Sequence, residues 1–200
     1  MISQSKPFAE ACERNKDPIF NVLKTRLSGT ERILEIGSGT GQHAVYFAEQ
    51  CPTIHWQTSD CSENHPGILS WIEDSQLTNV YKPLALNVIE DKWPNELFDA
   101  AYSANTAHIM PWQAVEATFE GLAKVLKSEA LYFLYGPFNY NGQYTSESNA
   151  KFDIWLKQQA SHQSIRDFES IEALANRCDF SLLEDVEMPA NNRILIWRKH

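Results

Sequence analysis

Apolar residues recur along the chain with two alternating spacings, and each spacing is typical of one kind of secondary structure. Short, nearly continuous apolar runs that stop at glycine, proline or polar residues indicate buried strands. Apolar residues at every third or fourth position indicate helices that cover a sheet. The alternation predicts an α/β fold with a mostly parallel sheet and helices on both faces. The predicted parallel strands lie within 32–36, 53–58, 80–88, 97–103 and 130–135.

Helices are predicted before the first strand and in the longer connections between strands. Asp17 and Pro18 are typical of an N-cap and a first helical position, so we expect a helix from there to Ser28-Gly29. A shorter helix is expected upstream, over 8–15. The other predicted helices lie within 42–50, 69–77, 113–126, 149–160 and 168–177.

The C-terminal part of the chain has a different pattern. Two apolar segments, 180–186 and 194–197, follow each other with no helical pattern between them. The intervening residues, Met188-Pro189-Ala190-Asn191-Asn192, are typical of a turn. We therefore expect a hairpin, and a seven-stranded sheet that ends in an antiparallel pair.

Composition limits the class of protein. The 200 residues include 43% hydrophobic and 12% aromatic residues, enough for the core of one domain and too many for a disordered chain. No run of about 18 apolar residues occurs, so a membrane-spanning helix is not expected. The net charge of −9 makes general binding to nucleic acid unfavourable, although a local basic patch for an RNA stays open.

The four cysteines show no metal-binding spacing. None forms a C-x-x-C pair, and Cys61 with His65 lacks a second pair of ligands, so no metal site is expected. Scattered cysteines are typical of reduced, buried thiols, and the first ten residues show no apolar segment of a signal peptide. These two observations favour a cytoplasmic protein.

The strongest chemical signal is the segment Glu35-Ile36-Gly37-Ser38-Gly39-Thr40-Gly41, between the first strand and its helix. Glycines at this spacing allow a tight turn and let the backbone approach a ligand closely. The N-terminus of the following helix offers unpaired N–H groups. In open α/β sheets, ligands bind at this edge, outside the carboxyl ends of the strands.

A second signal is Asp60, which lies 19 residues after Gly41 and ends the second predicted strand. A carboxylate at this position can accept hydrogen bonds from both ribose hydroxyls. Dinucleotide-binding folds use the same device, but their fingerprint is G-x-G-x-x-G, which would need glycine where this chain has Gln42. Glu35 would repel a pyrophosphate, whereas it suits a ligand with ammonium and sulfonium charges.

These residues resemble the glycine motif of class I S-adenosylmethionine-dependent methyltransferases, whose sheet also ends in an antiparallel strand. The resemblance implies a Rossmann-like fold, one domain over 1–200, and S-adenosyl-L-methionine as cofactor. It implies that the glycine loop holds the methionine half, that Asp60 binds the ribose, and that the residues after the third strand meet the adenine. The residues implied to bind the cofactor are Glu35, Gly37, Ser38, Gly39, Gly41, Asp60, Asn87 and Val88. Many of these enzymes carry Asp where this chain has Asn87, and Asn can accept through its side-chain oxygen.

The resemblance extends over the whole chain to a small methyltransferase-like family of about 200 residues that is carried as a domain of unknown function. It implies a fold and a cofactor but no substrate. The segments that carry it are Ala11-Cys12-Glu13-Arg14-Asn15-Lys16, Ser38-Gly39-Thr40-Gly41-Gln42-His43, Trp93-Pro94, His108-Ile109-Met110-Pro111-Trp112, Leu134-Tyr135-Gly136-Pro137-Phe138, Glu147-Ser148-Asn149, Phe152-Asp153, Ile165-Arg166-Asp167 and Met188-Pro189-Ala190-Asn191-Asn192.

The N-terminal segment, residues 1–28, is a candidate lid over the cofactor. In that case Arg14 would meet a carboxylate, such as the one on the cofactor's methionine half. The alternative is a solvated helix face. His108 follows the fourth strand, on the same edge of the sheet as the glycine loop, and is a candidate general base, with Asn105 beside it to orient a nucleophile. The alternative for both is a structural role in the turn before Pro111.

Polar and aromatic residues from several segments are expected to cluster at the mouth of the same pocket, which suits a small planar or polar acceptor. The simpler interpretation is that the aromatic residues belong to the core and that the asparagines belong to ordinary turns. The candidate acceptor-pocket residues are Asn15, Trp112, Tyr135, Phe138, Asn149 and Asn191.

The sequence therefore predicts an enzyme that transfers a methyl group from S-adenosyl-L-methionine to an unidentified, small acceptor. Two alternatives stay open. The first is a protein that binds this cofactor as a sensor or partner subunit without catalysis. The second is an NAD-dependent enzyme, against which Gln42 argues. The oligomeric state is not predicted.

Overall fold

A seven-stranded sheet runs through the centre of the structure, a computed structural model that describes residues 6–200. Residues 1–5 of the predicted N-terminal lid segment lie outside the described residues. A second, two-residue strand pair lies apart from the sheet. The strands are β1 Arg32–Ile36, β2 His55–Asp60, β3 Val80–Ala85, β4 Phe98–Ala104, β5 Leu126–Gly136, β6 Phe138–Asn139, β7 Arg166–Asp167, β8 Phe180–Met188 and β9 Asn192–Lys199.

The strand order places a ligand-binding crevice above β1 and β4. The order in the sheet is β3-β2-β1-β4-β5-β9-β8. The first five strands in this order pair in parallel, whereas β9 is antiparallel to both β5 and β8. The predicted mostly parallel sheet with a C-terminal antiparallel hairpin is confirmed. The chain leaves β1 toward β2 and later returns to β4 on the other side, which opens a crevice between the two connections.

Six α-helices among residues 6–200 cover the two faces of the sheet, and the predicted placement of helices on both faces is confirmed, although seven helices were expected. One buried cluster contains Ile19, Phe47 and Trp56, and the other contains Phe119 and Trp197. No helix among residues 6–200 is long and apolar enough to cross a membrane. The helices are α1 Glu10–Leu23, α2 Gln42–Gln50, α3 His65–Ser75, α4 Trp112–Val125, α5 Glu147–Gln159 and α6 Phe168–Arg177.

The first helix differs from the prediction. We expected one helix over 8–15 and another from Asp17 to Ser28, but α1 is a single helix with Pro18 inside it, and it ends at Leu23. Pro18 has no N–H for the carbonyl four residues earlier and costs about 3 kcal/mol inside a helix. The buried face is nevertheless continuous, because Asn15, Ile19 and Leu23 follow each other at four-residue steps. The free energy gained by burying this face exceeds the cost of the proline inside the helix.

Two smaller differences concern the strands. The chain passes from α4 into β5 at Leu126, so β5 begins four residues before the predicted residue 130. The sequence analysis also missed the pairing of β6 with β7, which joins Phe138 to Arg166 and Asn139 to Asp167. Two-residue strands are too short to show a periodic pattern.

We predict that Gly121→Ala destabilises the protein. Gly121 lies in α4, and an added Cβ would come within 1.9 Å of Cε2 of Trp93. In an exposed helix this change would be stabilising, but overpacking here should cost roughly 1–3 kcal/mol of unfolding free energy. Urea denaturation measures the difference. In a Trp93→Ala background the same change should be neutral or stabilising, and an equal loss in both backgrounds would contradict the packing argument.

Candidate functional site

The loop between β1 and α2 is a tight turn that needs glycine. Gly37, Gly39 and Gly41 have φ values of +70°, +58° and +91°, a region that side-chain-bearing residues rarely adopt. A Cβ on Gly37 would come within 2.7 Å of the Thr106 side chain, whereas none of the described atoms lies within 4 Å of one on Gly39. The backbone at Gly39 is therefore open to a ligand.

Hydrogen bonds join this loop to the end of β2. The Ser38 N–H donates to the Ser59 carbonyl at 3.0 Å, and the Ser59 N–H donates to the Ser38 hydroxyl at 3.1 Å. The Gly39 N–H donates to Asp60 Oδ2 at 2.7 Å. Asp60 Oδ1 accepts from the Cys61 N–H and from the Asn64 amide, both at 2.8 Å. The structure thus brings together the glycine loop and the carboxylate that the sequence analysis singled out.

A cavity of about 240 Å³ lies beside this contact, and we call it the first cavity. The turn after β3 forms one wall, where Asn87 Oδ1 accepts from the Ile89 N–H at 3.1 Å and the Asn87 amide donates to Glu90 at 3.2 Å. Most of the other wall residues are apolar. The lining residues are Ile36, Gly37, Asp60, Cys61, Leu86, Asn87, Val88, Ile89, Met110, Pro111 and Ala114.

A larger cavity of about 420 Å³, the second cavity, lies between α1, the carboxyl ends of β4 and β5, and the turn of the C-terminal hairpin. Arg14 and Asn15, two predicted site residues, line it from α1. Asn105 and Tyr135, also predicted, line it from the strand ends. The remaining lining residues are Ala11, Pro18, Pro189, Ala190 and Asn192.

Asn15 connects the second cavity to the interior of the protein. Its side chain is buried, and its Oδ1 lies 2.7 Å from Nε2 of His43. On the other side of the His43 ring, Nδ1 lies 3.3 Å from the Tyr102 hydroxyl. Burial raises the pKa of the Tyr135 phenol, and the nearby Asn15 side chain opposes this shift. The sequence analysis missed His43 and Tyr102 as members of this network.

Glu35 lies behind the glycine loop rather than at the surface of either cavity. Its side chain is 2% exposed, and the Trp56 indole donates to its Oε2 at 3.1 Å. Burial raises the pKa of Glu35 to about 7, against the lowering effect of hydrogen bonds from Trp56 and Ser38. At neutral pH this carboxyl is therefore close to its midpoint of ionisation.

His108, the predicted general base, lines neither cavity. It is 5% exposed, its ring packs edge-on against Phe152 with centroids 5.4 Å apart, and burial lowers its pKa to about 4, helped by the nearby Arg166. These contacts are those of a packed structural residue. The catalytic role of His108 remains a prediction that this geometry does not support.

Four predicted acceptor-pocket residues do not line the second cavity. Phe138 is fully buried in the core, and Trp112 packs against the same cluster. The Asn149 amide donates to the Asn191 carbonyl at 3.1 Å, and the Asn191 amide donates to the Ser148 hydroxyl at 3.2 Å. These two asparagines tie α5 to the hairpin turn, so they position the turn that forms one wall of the cavity.

Apart from Asn192, which belongs to the same turn as the predicted Asn191, four lining residues of the second cavity were not among the sequence predictions: Ala11, Pro18, Pro189 and Ala190. Ala11, Asn15 and Pro18 lie on one face of a helix, at spacings of four and three. That spacing could have found the first two missed residues, had α1 been predicted as one helix. The position of Pro189 and Ala190 depends on the conformation of the hairpin turn and has no local signal.

We predict that the stability of the protein falls as Glu35 ionises. Its folded-state pKa, about 7, lies above its ordinary value of 4.5, so the neutral form favours folding. Neutral Glu35 contributes about 3 kcal/mol to the free energy of unfolding. This contribution is fully present below pH 4.5 and is lost as the pH rises through 7. Glu35→Gln stays neutral, so urea denaturation should show it gaining stability relative to the unmodified protein between pH 5 and pH 8. Glu96→Gln, at an exposed position, is the control, and parallel pH profiles for all three proteins would contradict the assignment.

Solved structures share this fold at low sequence identity. An O-methyltransferase family protein from Burkholderia thailandensis is 12% identical, with a TM-score of 0.83 over 95% of this chain and 57% of that one. Mitomycin 7-O-methyltransferase is 14% identical, with a TM-score of 0.80 over 94% and 54%. Human N-acetylserotonin methyltransferase, solved in complex with SAM, is 13% identical, with a TM-score of 0.77 over 95% and 53%.

This chain thus spans little more than half the length of these proteins. The likeness shows the class I methyltransferase fold. The family match covers nearly the whole sequence, because residues 6–199 match the family described as "Protein of unknown function (DUF938)". The chain belongs to that family.

Proposed function

We propose that this protein binds S-adenosyl-L-methionine (SAM) and transfers its methyl group to a small acceptor. The observation that carries the proposal is the contact between the glycine loop and Asp60 beside the first cavity. It places an open backbone turn, a carboxylate and apolar walls at the carboxyl edge of β1 and β2. A ligand with an amino acid, a ribose and a purine needs these three elements next to one another.

The first cavity fits the adenosine half. Asp60 accepts three hydrogen bonds within the protein, and two carboxylate oxygens offer about four acceptor positions, so it can still accept from a ribose hydroxyl. Leu86, Val88 and Met110 offer apolar surface to a flat base. Asn87 Oδ1 holds the Ile89 N–H and has a second lone pair for an amino group.

The glycine loop and the charges behind it suit the methionine half. When bound, SAM supplies a methyl group on a positively charged sulfur. Glu35 lies under the loop, with Asp60 near enough to raise its pKa, so this edge of the sheet carries negative charge for a cationic ligand. Arg14, which the sequence analysis placed at the carboxylate of the cofactor, lines the second cavity and not the first.

The second cavity is the proposed acceptor site. Asn105, at the carboxyl end of β4, joins its wall, and its N–H donates to the Tyr135 carbonyl at 2.9 Å. The fold places this strand end next to β1, whose loop lines the first cavity. The protein's contribution to the reaction is to hold the acceptor in line with the methyl group, and such positioning lowers a barrier by about 7–11 kcal/mol.

The solved structures support the proposal only through their fold. Those described above carry methyltransferase names, and one contains SAM, but their identity to this chain is 12–14%. This chain also spans only 53–57% of the length of each of those proteins. The activity and the acceptor are therefore inferred from the two cavities of this chain.

A second candidate function is SAM binding without catalysis, as in a sensor or a partner subunit. One observation favours it: among residues 6–200, those that line the second cavity include no Asp, Glu or His. A neutral acceptor would find no general base there. Acceptor turnover distinguishes the two candidates, since both require the cofactor to bind.

We predict that SAM and S-adenosylhomocysteine (SAH) bind with micromolar affinity and that Asp60→Asn weakens both about tenfold. The Asn side chain retains the size of Asp60 but loses the charge-assisted acceptor for the ribose, worth about 1.5–3 kcal/mol. Isothermal titration calorimetry measures the affinities, with NAD as the alternative ligand. Asp179→Asn, at an exposed site beside Lys199, is the matched control.

Three results would contradict this prediction. The first is the absence of binding of either ligand to a folded protein. The second is tighter binding of NAD than of SAM, which would favour the dinucleotide alternative. The third is an equal effect of Asp60→Asn and Asp179→Asn, which would remove Asp60 from the ribose site.

We further predict that the preference for SAM over SAH increases with pH. Glu35 becomes negative as the pH passes 7, and a negative charge under the loop favours the cationic sulfonium over the neutral thioether. The ratio of the two dissociation constants should change up to about tenfold between pH 6 and pH 8. In Glu35→Gln the ratio should be flat. A pH-dependent ratio in that variant would assign the effect to another group.

A further inference from the structure

The second cavity offers hydrogen-bond donors and one positive charge. Arg14 is the cation, with 72% of its side chain exposed and its nearest carboxylate, Glu10, 3.9 Å away. Asn105 contributes an amide and Tyr135 a phenol, whereas the Asn192 amide already donates to the Pro189 carbonyl at 3.2 Å. As noted above, none of the described lining residues is Asp, Glu or His. The wall is therefore suited to a ligand that is negative or rich in acceptor atoms.

The hydrogen bonds of His43 indicate which of its two ring nitrogens carries the proton. Nε2 faces Asn15 Oδ1 at 2.7 Å. Carbonyl oxygens can only accept, so the proton lies on Nε2. Nδ1 then has a lone pair, and the Tyr102 hydroxyl donates to it at 3.3 Å.

The Tyr135 hydroxyl is available to a ligand, because Tyr135 lines the second cavity. The neighbouring Asn15 uses its side-chain oxygen for His43, so toward the phenol it can offer only its NH₂ group, which donates. The phenol therefore keeps its own hydrogen for a ligand in the cavity.

The same network provides no base for the acceptor. His43 lies behind Asn15, and its Nδ1 lone pair is held by Tyr102. Tyr135 remains a neutral phenol at physiological pH, because burial raises its pKa. An alcohol or a protonated amine could lose no proton to the described lining residues, and an ammonium group would in addition meet Arg14.

We propose that the second cavity takes a small organic anion, a carboxylate or an acidic phenol, and that its oxyanion is the methyl acceptor. This inference rests on the proposed function. When an oxyanion accepts a methyl group from a sulfonium, a carbon–oxygen bond forms and the carbon–sulfur bond breaks, with its electron pair staying on sulfur. The two charges cancel and no proton has to leave. The Tyr135 hydroxyl and Arg14 hold the anion.

The cavity has to bind an anion although the protein as a whole is negatively charged. The whole chain carries a net charge of −9, which opposes the approach of anions over long distances. Recognition must therefore come from short-range contacts inside the cavity. Removing one of these contacts should consequently change the dissociation rate more than the association rate.

The test uses two anions and one neutral probe with the protein saturated with SAH. 4-Nitrophenol ionises near neutral pH, and its absorbance reports whether it binds as phenolate. Benzoate is the carboxylate, and benzyl alcohol is the neutral counterpart of similar size. We expect both anions to bind, benzyl alcohol to bind at least tenfold more weakly, and the pH midpoint of bound 4-nitrophenol to fall by about one unit.

Two substitutions test whether Tyr135 and Arg14 bind the anion. Tyr135→Phe removes the hydroxyl and Arg14→Gln removes the charge, and each should weaken benzoate about tenfold, leaving SAH affinity within twofold. Tyr132→Phe, on the same strand, and Arg177→Gln, an exposed arginine 3.4 Å from Glu116, are the controls. The controls should bind benzoate like the unmodified protein.

Several results would overturn the proposal. Absence of anion binding to the SAH complex, or stronger binding of benzyl alcohol, would show that the cavity is not built for anions. Anion binding that SAH abolishes would assign Arg14 to the carboxylate of the cofactor. A benzoate affinity unchanged in both Tyr135→Phe and Arg14→Gln would place the anion elsewhere. SAH binding is measured separately, so failure of the proposed function, in which SAH does not bind, is distinguishable from each of these results.

Discussion

The hydrogen bond from the Gly39 N–H to the Asp60 carboxylate is the contact on which the site depends. The sheet brings the ends of β1 and β2 near each other, but this 2.7 Å bond and the Ser38–Ser59 pair join the two loops into one unit. The bond requires the positive φ of Gly39, where an added Cβ would meet open space rather than described atoms. Glycine is therefore needed here for its backbone conformation and for access, not for packing.

The second cavity depends on a different kind of contact. Its walls come from three segments distant in the sequence: α1, the ends of β4 and β5, and the hairpin turn. The side chain of Asn15 connects α1 to β4 through His43 and Tyr102, and the side chain of Asn149 ties the hairpin turn to α5. A change in one connecting side chain would alter the shape of this cavity without touching the glycine loop.

The sequence predicted the first cavity better than the second, and the reason is physical. The glycine loop and Asp60 directly follow buried strands. The spacing of apolar residues predicts these strands, and the carboxyl ends of parallel strands lie at one edge of the sheet. The second cavity depends on how α1 packs. Pro18 led us to predict two helices where the structure has one. Phe138 was expected in the pocket, but the β6–β7 pair, too short to predict, continues the chain past β5 and leaves Phe138 in the core.

His108 is another residue whose surroundings the sequence could not predict. A histidine after β4 lies at the correct edge of the sheet for a general base, and topology can place it no more finely than that. Whether its ring faces a cavity or Phe152 depends on α5, an element about forty residues later in the chain. Its burial and lowered pKa are those of a histidine packed in the interior. The cofactor loop is thus built from backbone that local sequence specifies, and the acceptor site from side chains that only the complete fold brings together. Such an arrangement allows acceptor specificity to change while cofactor binding is retained, which is how one fold can serve many acceptors.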